Sequence, residues 1–270
     1  MRPAVMFMLL LSLPLGTGCF RSANARYETV DRENHGLIII LPGIEGVSPL
    51  NKDIRGGLVA AGLYRSMPIY SWGNPLPVAG MLLNQMDFIG NHRAGKRIAN
   101  KIVKYQDKYP GRPVYIIGHS GGGGVAVFAA ENMPEDHKID GLILLSASIS
   151  SSYDLTKALE HTRNGILNIY SKGDVGFLVL GTTLAGNVDG TRGPAAGALG
   201  FDKPKYSANE RKIMAYHRLY QMELTDSDGE GLSHTSTTRS GFVARNVAPW
   251  VLSETWPAMD GGLSNSSYGQ

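Results

Sequence analysis

The sequence predicts an α/β fold: a single domain on a mostly parallel sheet, with helices on both faces and no separate cap domain. Two patterns lead there. Gly36 to Leu41, Val114 to Ile117, Leu142 to Leu145 and Gly165 to Tyr170 are largely apolar runs without alternation, as expected of strands buried on both faces. Between them, apolar residues recur at helical spacing, most clearly Ala94, Ile98, Ile102 and Tyr105 among lysines and arginines. Composition agrees, because a chain of 270 residues that is 43% hydrophobic and 18% charged can fill one large core and is not disordered.

Taken in order, the strand at Gly36 to Leu41 ends in Pro42-Gly43-Ile44-Glu45-Gly46. Lys52 to Leu63 suits a helix with a small-residue inner face, and Met67 to Ser71 a second strand. A loop follows from Trp72 to Asn91. Arg93 to Tyr109 is helical and stops at Pro110-Gly111. Asp140 to Ala147 contains the next strand, and Leu155 to Glu160 a short helix. Gly165 to Tyr170 is a strand that leaves through Ser171-Lys172-Gly173-Asp174. The glycine-rich stretch from Gly176 to Asp202 reads as loop with one helical piece. Ile213 to Leu224 holds the last strand, and Gly241 to Leu252 the last helix. These limits place the domain at residues 36–252, after a linker over 19–35 and before a C-terminal tail over 253–270.

Residues 1–18 read as an export signal, with Arg2 ahead of an apolar run from Val5 to Leu15 that is too short to span a bilayer. Leu15-Gly16-Thr17-Gly18-Cys19 resembles a bacterial lipoprotein signal, which implies lipidation of Cys19 and attachment to the membrane of the cell envelope. Ala23-Asn24-Ala25 offers ordinary cleavage to a periplasmic or secreted form instead. Cys19 is the only cysteine, so neither an intramolecular disulfide nor a metal site of several thiolates can form. The net charge of +3 is scattered, which excludes a nucleic-acid surface.

The most informative stretch runs from Val114 to Phe128, where a strand passes into an Ala/Val helix through Gly118-His119-Ser120-Gly121-Gly122. A serine on so sharp a turn is strained with its hydroxyl thrust outward, and side chains two positions either side of it would collide. The helix that follows aims its first N–H groups at the same point. The alternatives are a glycine-rich packing turn or an anion-binding nest. A phosphate-binding P-loop is disfavoured, since no Gly-Lys-Ser/Thr follows.

With Leu41-Pro42-Gly43-Ile44 before this turn, and Asp174 and His234 after it, the chain from Gly36 to Leu252 resembles the α/β-hydrolase superfamily. The resemblance implies a triad in the order Ser120, Asp174, His234, and an oxyanion hole from the N–H groups of Ile44 and Gly121. Of the seven histidines, only His234 lies in a polar loop after the last strand and before the last helix. His35 and His161 sit at strand entry ends, His92 precedes a helix, and His137 lies in a polar loop. His217 lies in or beside the last strand, and His119 should point away from the hydroxyl. Asp189 and Asp154 are the reserve acids. Trp72, Asn74, Met86 and Phe88 either line a pocket or pack, and Glu45 either contacts substrate or is solvated.

The expectation is therefore an exported serine hydrolase, carboxylesterase- or lipase-like, that cleaves a small-molecule ester through an acyl-enzyme and needs no cofactor and no metal. Thioester or amide cleavage, or a silent envelope binding protein, are the alternatives. Only residues 148–164 are available for a cap, so short acyl chains are the expected preference.

Overall fold

Five parallel strands lie side by side in sequence order: β1 (Leu37–Leu41), β2 (Val114–His119), β3 (Gly141–Leu145), β4 (Ile166–Tyr170) and β5 (Leu219–Glu223). The structure is a computed structural model that describes residues 24–73, 85–174, 186–205, 208–225 and 231–258. Cys19, the expected export signal and Asn74 lie outside these residues, as do parts of the two long loops. Register is continuous, from Leu37 opposite Val114 to Leu41 opposite Gly118 in the first pair, and Gly118 opposite Leu144 in the next.

The longer helices are α1 (Pro49–Ala60), α2 (Phe88–Lys108), α3 (Gly121–Glu131), α4 (Thr156–Glu160) and α5 (Glu210–Tyr216). A C-terminal helix follows in three pieces, Ser240–Phe242, a π-helical Val243–Val247 and Ala248–Leu252. Pro249 has no N–H to donate, and the ladder widens just ahead of it. Strand side chains alternate between two cores. Leu37, Ile39, Leu41, Ile116 and Leu144 pack with Ile98 and Ile102 of α2 and Val125 and Phe128 of α3. Ile38, Ile40, Ile117, Ile143 and Ile169 pack with Ile54 and Leu58 of α1 and with Phe242, Val243 and Val247. Both faces are covered, as the unbroken apolar runs require, and each fully buried Ile or Leu contributes about 1.5–3 kcal/mol.

The chain reverses direction beside β1. From β1 it passes through α1 to residues 66–70, which run parallel along the outer edge of β1. It then returns through α2 to β2 on the other side of β1. The strand-end crevice between β1 and β2 is therefore the topological switch point, where open α/β sheets bind their ligands.

Four sequence readings change. Met67 to Ser71 is not a full strand. Ile38 N–H donates to Ser66 O, Ile40 N–H to Pro68 O and Tyr70 N–H to Ile40 O, but Pro68 has no N–H and the ladder stays intermittent. Ile213 to Tyr216 is the end of α5, so the last strand is only Leu219–Glu223. The expected linker carries two short helices from Ala25 on, and Asn24 is bound to the body. The Asn24 amide donates to Ile69 O and accepts from Ile69 N–H and Arg55. In the expected tail, Trp256 is buried and donates to Trp250 O.

Candidate active site

Ser120 sits between β2 and α3 with φ 53° and ψ −124°. Ser120 and Ser146 are the two non-glycine residues with positive φ among the described residues, and such a backbone costs energy that the surroundings must supply. They do so by contact. A methyl group on Gly118 would stand 2.5 Å from Gly122 O, and one on Gly122 would stand 2.5 Å from Leu41 O and overlap Pro42 O. Strand, turn and helix cross too closely for a Cβ at either position. The backbone of the turn is bonded on both sides, with Ser120 N–H donating to Leu145 O and Ser148 N–H to Ser120 O, both at 3.0 Å.

The two residues expected to supply oxyanion donors meet here. A methyl on Gly121 would lie 2.9 Å from Ile44 Cγ2 and 3.3 Å from the Trp72 ring, and one on Gly43 would lie 3.2 Å from Ser120 Cβ. Trp72 is fixed by its Nε1–H, which donates to Pro42 O at 2.7 Å. Gly121 opens α3, so its N–H has no carbonyl one turn back within the helix. Trp72 thus packs at the site. Met86, ahead of α2, and Phe88, its first residue, are exposed, and Glu45 accepts from Ser48 Oγ at 3.2 Å.

His234 is buried in the loop between β5 and the C-terminal helix. Its carbonyl oxygen lies 3.3 Å from Nε2 of His119, and the two rings are 5.1 Å apart, centre to centre. Burial, followed by the neighbouring His234, pushes the His119 imidazole down to about 3. His119 is therefore neutral, and its Nε2–H donates. Asp174 closes a 3₁₀ turn, Lys172–Asp174, directly after β4; its side chain lies outside what the structure describes. The turn is nonetheless tied to the histidine loop. Ser171 Oγ donates to Leu232 O at 3.1 Å, and a methyl on Gly173 would overlap Leu232 Cβ and stand 2.8 Å from its Cδ1. The acid turn and the histidine loop therefore touch two residues before His234.

The reserve acids are engaged elsewhere. Asp154 accepts from Thr156 and Lys212. Asp189 accepts from Thr191 Oγ1 at 3.0 and 3.1 Å, and burial raises its carboxyl above the ordinary range. His35 stacks edge-on with Tyr64, His92 stacks on Phe128, and His137 pairs with Asp136. His161 bonds Lys157 O, and His217 caps α5.

A family model described as the alpha/beta hydrolase fold matches residues 93–172, from α2 through the serine turn to the acid turn. The chain has the α/β-hydrolase fold. Among solved structures, a SOBER1 variant from Arabidopsis thaliana is 16% identical over 80% of this chain and 98% of its own, with a TM-score of 0.49. A dienelactone hydrolase from Anabaena variabilis is 16% identical over 80% and 84%, at 0.45. Acyl-protein thioesterase 2 of Zea mays is 12% identical over 70% and 84%, at 0.38. No curated protein matches the sequence.

Within this site, the sequence reading missed Ser148. Its hydroxyl lies 3.4 Å from Ser120 Oγ and is almost wholly buried. Val188 was missed as well; its methyls meet the space beside Gly121 and Gly124. Ser148 belongs to the alternating serines that follow β3, a polar run directly after a buried strand, and that run was the available signal.

Proposed function

We propose that this chain is an exported serine hydrolase that cleaves carboxylic esters. Ser120 Oγ attacks the ester carbonyl carbon while His234 takes the hydroxyl proton and Asp174 orients the imidazole. The oxyanion is held by the N–H groups of Gly121 and Ile44. Collapse breaks the ester C–O bond, and His234 passes its proton to the leaving alkoxide. Water, activated by the same histidine, then cleaves the acyl-enzyme and restores Ser120. The observation that carries this reading is the strained backbone of Ser120 at the switch point, a cost without purpose in a packing turn. The contact between the acid turn and the histidine loop supports the other two roles. The names of the dienelactone hydrolase and the thioesterase fit the same chemistry.

The test is labelling with a fluorophosphonate probe and turnover of nitrophenyl esters of increasing acyl length. Ser120→Ala should abolish labelling, and Ser120→Ala and His234→Ala should each lower kcat roughly a thousandfold or more. Asp174→Asn should be severe through the wrong histidine tautomer, and short acyl chains should be favoured. Unlabelled native protein would point to a silent binding protein.

For location, we infer lipidation at Cys19 and a place in a bacterial cell envelope. Asn24 is bound to Ile69 and Arg55, and cleavage after Ala25 would remove it. N-terminal analysis of the exported protein checks this: a mature chain starting at Arg26 would overturn the anchor.

A further inference from the structure

His234 stands far from the strand that delivers it. The chain leaves β5 at the sheet edge, and Ser120 stands at the end of β2, three strand spacings or roughly 14 Å away. A polar loop must cross the ends of β4 and β3 to bring His234 there. Each of the three strand ends it meets sends one buried side chain to it. Ser171, just past β4, donates to Leu232 O at 3.1 Å. His119, the last residue of β2, donates to His234 O from Nε2 at 3.3 Å. Ser146, just past β3, shares a 3.1 Å hydroxyl contact with Thr237 Oγ1. The loop thus passes β4 at 232, reaches β2 at 234 and returns to β3 at 237, with His234 at its far point.

The strand-end side chains that make these bonds are closed to water. His119 is 2% exposed, and Ser146, Ser171 and Thr237 are each 0% exposed. Buried hydroxyls and imidazoles are costly unless bonded, so each bond fixes geometry as well as adding stability. Ser146 accepts a left-handed backbone, φ 48°, at the point where its hydroxyl meets Thr237. The Nδ1 atom of His119 is buried with no partner, which leaves the bond to His234 O as the ring's polar contact.

We propose that His119, Ser146 and Ser171 form a three-point clamp whose role is to position His234 for the reaction. The proposal rests on the hydrolase reading above. The clamp fixes one carbonyl and one hydroxyl on either side of the histidine, and the histidine's own carbonyl. The imidazole keeps its aim while it takes and returns a proton.

The test is steady-state hydrolysis of a short-chain nitrophenyl ester by the full chain, well below the melting temperature of each variant. Ser146→Ala and Ser171→Ala should each lower kcat about fivefold with KM unchanged. His119→Phe removes the donor and should lower kcat about tenfold or more. His119→Gln, whose amide nitrogen stands near the place of Nε2, should recover most of that loss. A residue that only stabilised the fold would lower the melting temperature without this split or this rescue. A His119→Phe enzyme with native kcat, or a His119→Gln enzyme no better than His119→Phe, overturns the clamp. If His119→Phe does not fold, native kcat in both serine variants overturns it. Native kcat in Ser120→Ala or His234→Ala would show instead that the hydrolase reading has failed.

Discussion

The serine turn and the histidine loop face each other across the strand ends and are held by opposite means. The turn is held by exclusion. Gly118 and Gly122 let strand and helix cross at distances that admit no Cβ, and a methyl on Gly123 would stand 2.6 Å from Ala147 Cβ. The loop is held by attraction, through Ser171, His119 and Ser146 from three different strands. Exclusion is local and intolerant of any added atom. Attraction is assembled from distant parts of the chain, tolerates changes of volume and fails when a polar atom is lost. The two regions should therefore break in different ways.

The largest effect is expected at the turn. Gly122→Ala should lower stability by about 3 kcal/mol, since its Cβ meets the backbone oxygens of Leu41 and Pro42, which cannot swing aside as a side chain can. Fluorophosphonate labelling should be lost with it. Urea unfolding and the labelling rate measure both. Full labelling in a stable Gly122→Ala protein would show that the turn has slack, and the contrast would fall.

A smaller effect is expected where the two means meet. Gly173 is packed like a turn glycine, but its neighbour is the histidine loop. Gly173→Ala should push the acid turn off Leu232 and cost about 1–2 kcal/mol. It should lower kcat by about tenfold, more than its loss of stability would suggest. Unchanged kcat would place the acid elsewhere.

The same contrast governs what the sequence reveals. The serine turn was legible because its determinants, Gly118, Ser120 and Gly122, lie within five residues and only one spacing satisfies them. The strands were legible because Ile38, Ile39, Ile116 and Ile143 are buried on both faces. The clamp was not legible. Ser146, Ser171 and His119 each pair with a residue 61 to 115 positions away, and a single serine after a strand has no pattern of its own. The edge at residues 66–70 misled because Pro68 interrupts a run that is otherwise strand-like. Met214, Ala215 and Tyr216 misled because a short apolar run fits helix and strand alike. Asn24 misled because its contacts with Ile69 and Arg55 leave no trace in a polar segment.

The smallest expected effect on turnover comes with a change in stability, and it uses pH to separate the two regions. Helix α3 carries the serine turn at one end and has one ionisable residue, Glu131, at the other. Burial pushes the Glu131 carboxyl up to about 7, partly offset by the Tyr153 hydroxyl, which donates to both oxygens at 2.9 and 3.1 Å. His119, bonded to the histidine loop, moves the other way, down to about 3 from an ordinary 6.5. The signs follow from which state holds the proton. Between pH 4.5 and about 7 the unfolded chain ionises Glu131 while the folded chain keeps its proton, so stability falls as pH rises. Between 6.5 and about 3 the unfolded chain protonates His119 while the folded chain cannot, so stability falls as pH falls. Between 4.5 and 6.5 the two slopes oppose each other. Glu131→Gln keeps an acceptor for Tyr153 and removes the first slope, so the variant should gain on the order of 2 kcal/mol relative to native between about pH 4.5 and pH 8. His119→Gln should instead flatten the acid limb and leave the alkaline one. Urea unfolding across this range reads both. If Glu131→Gln alters the slope below pH 4.5, or His119→Gln the slope above pH 6.5, the turn helix and the histidine loop are not separately anchored.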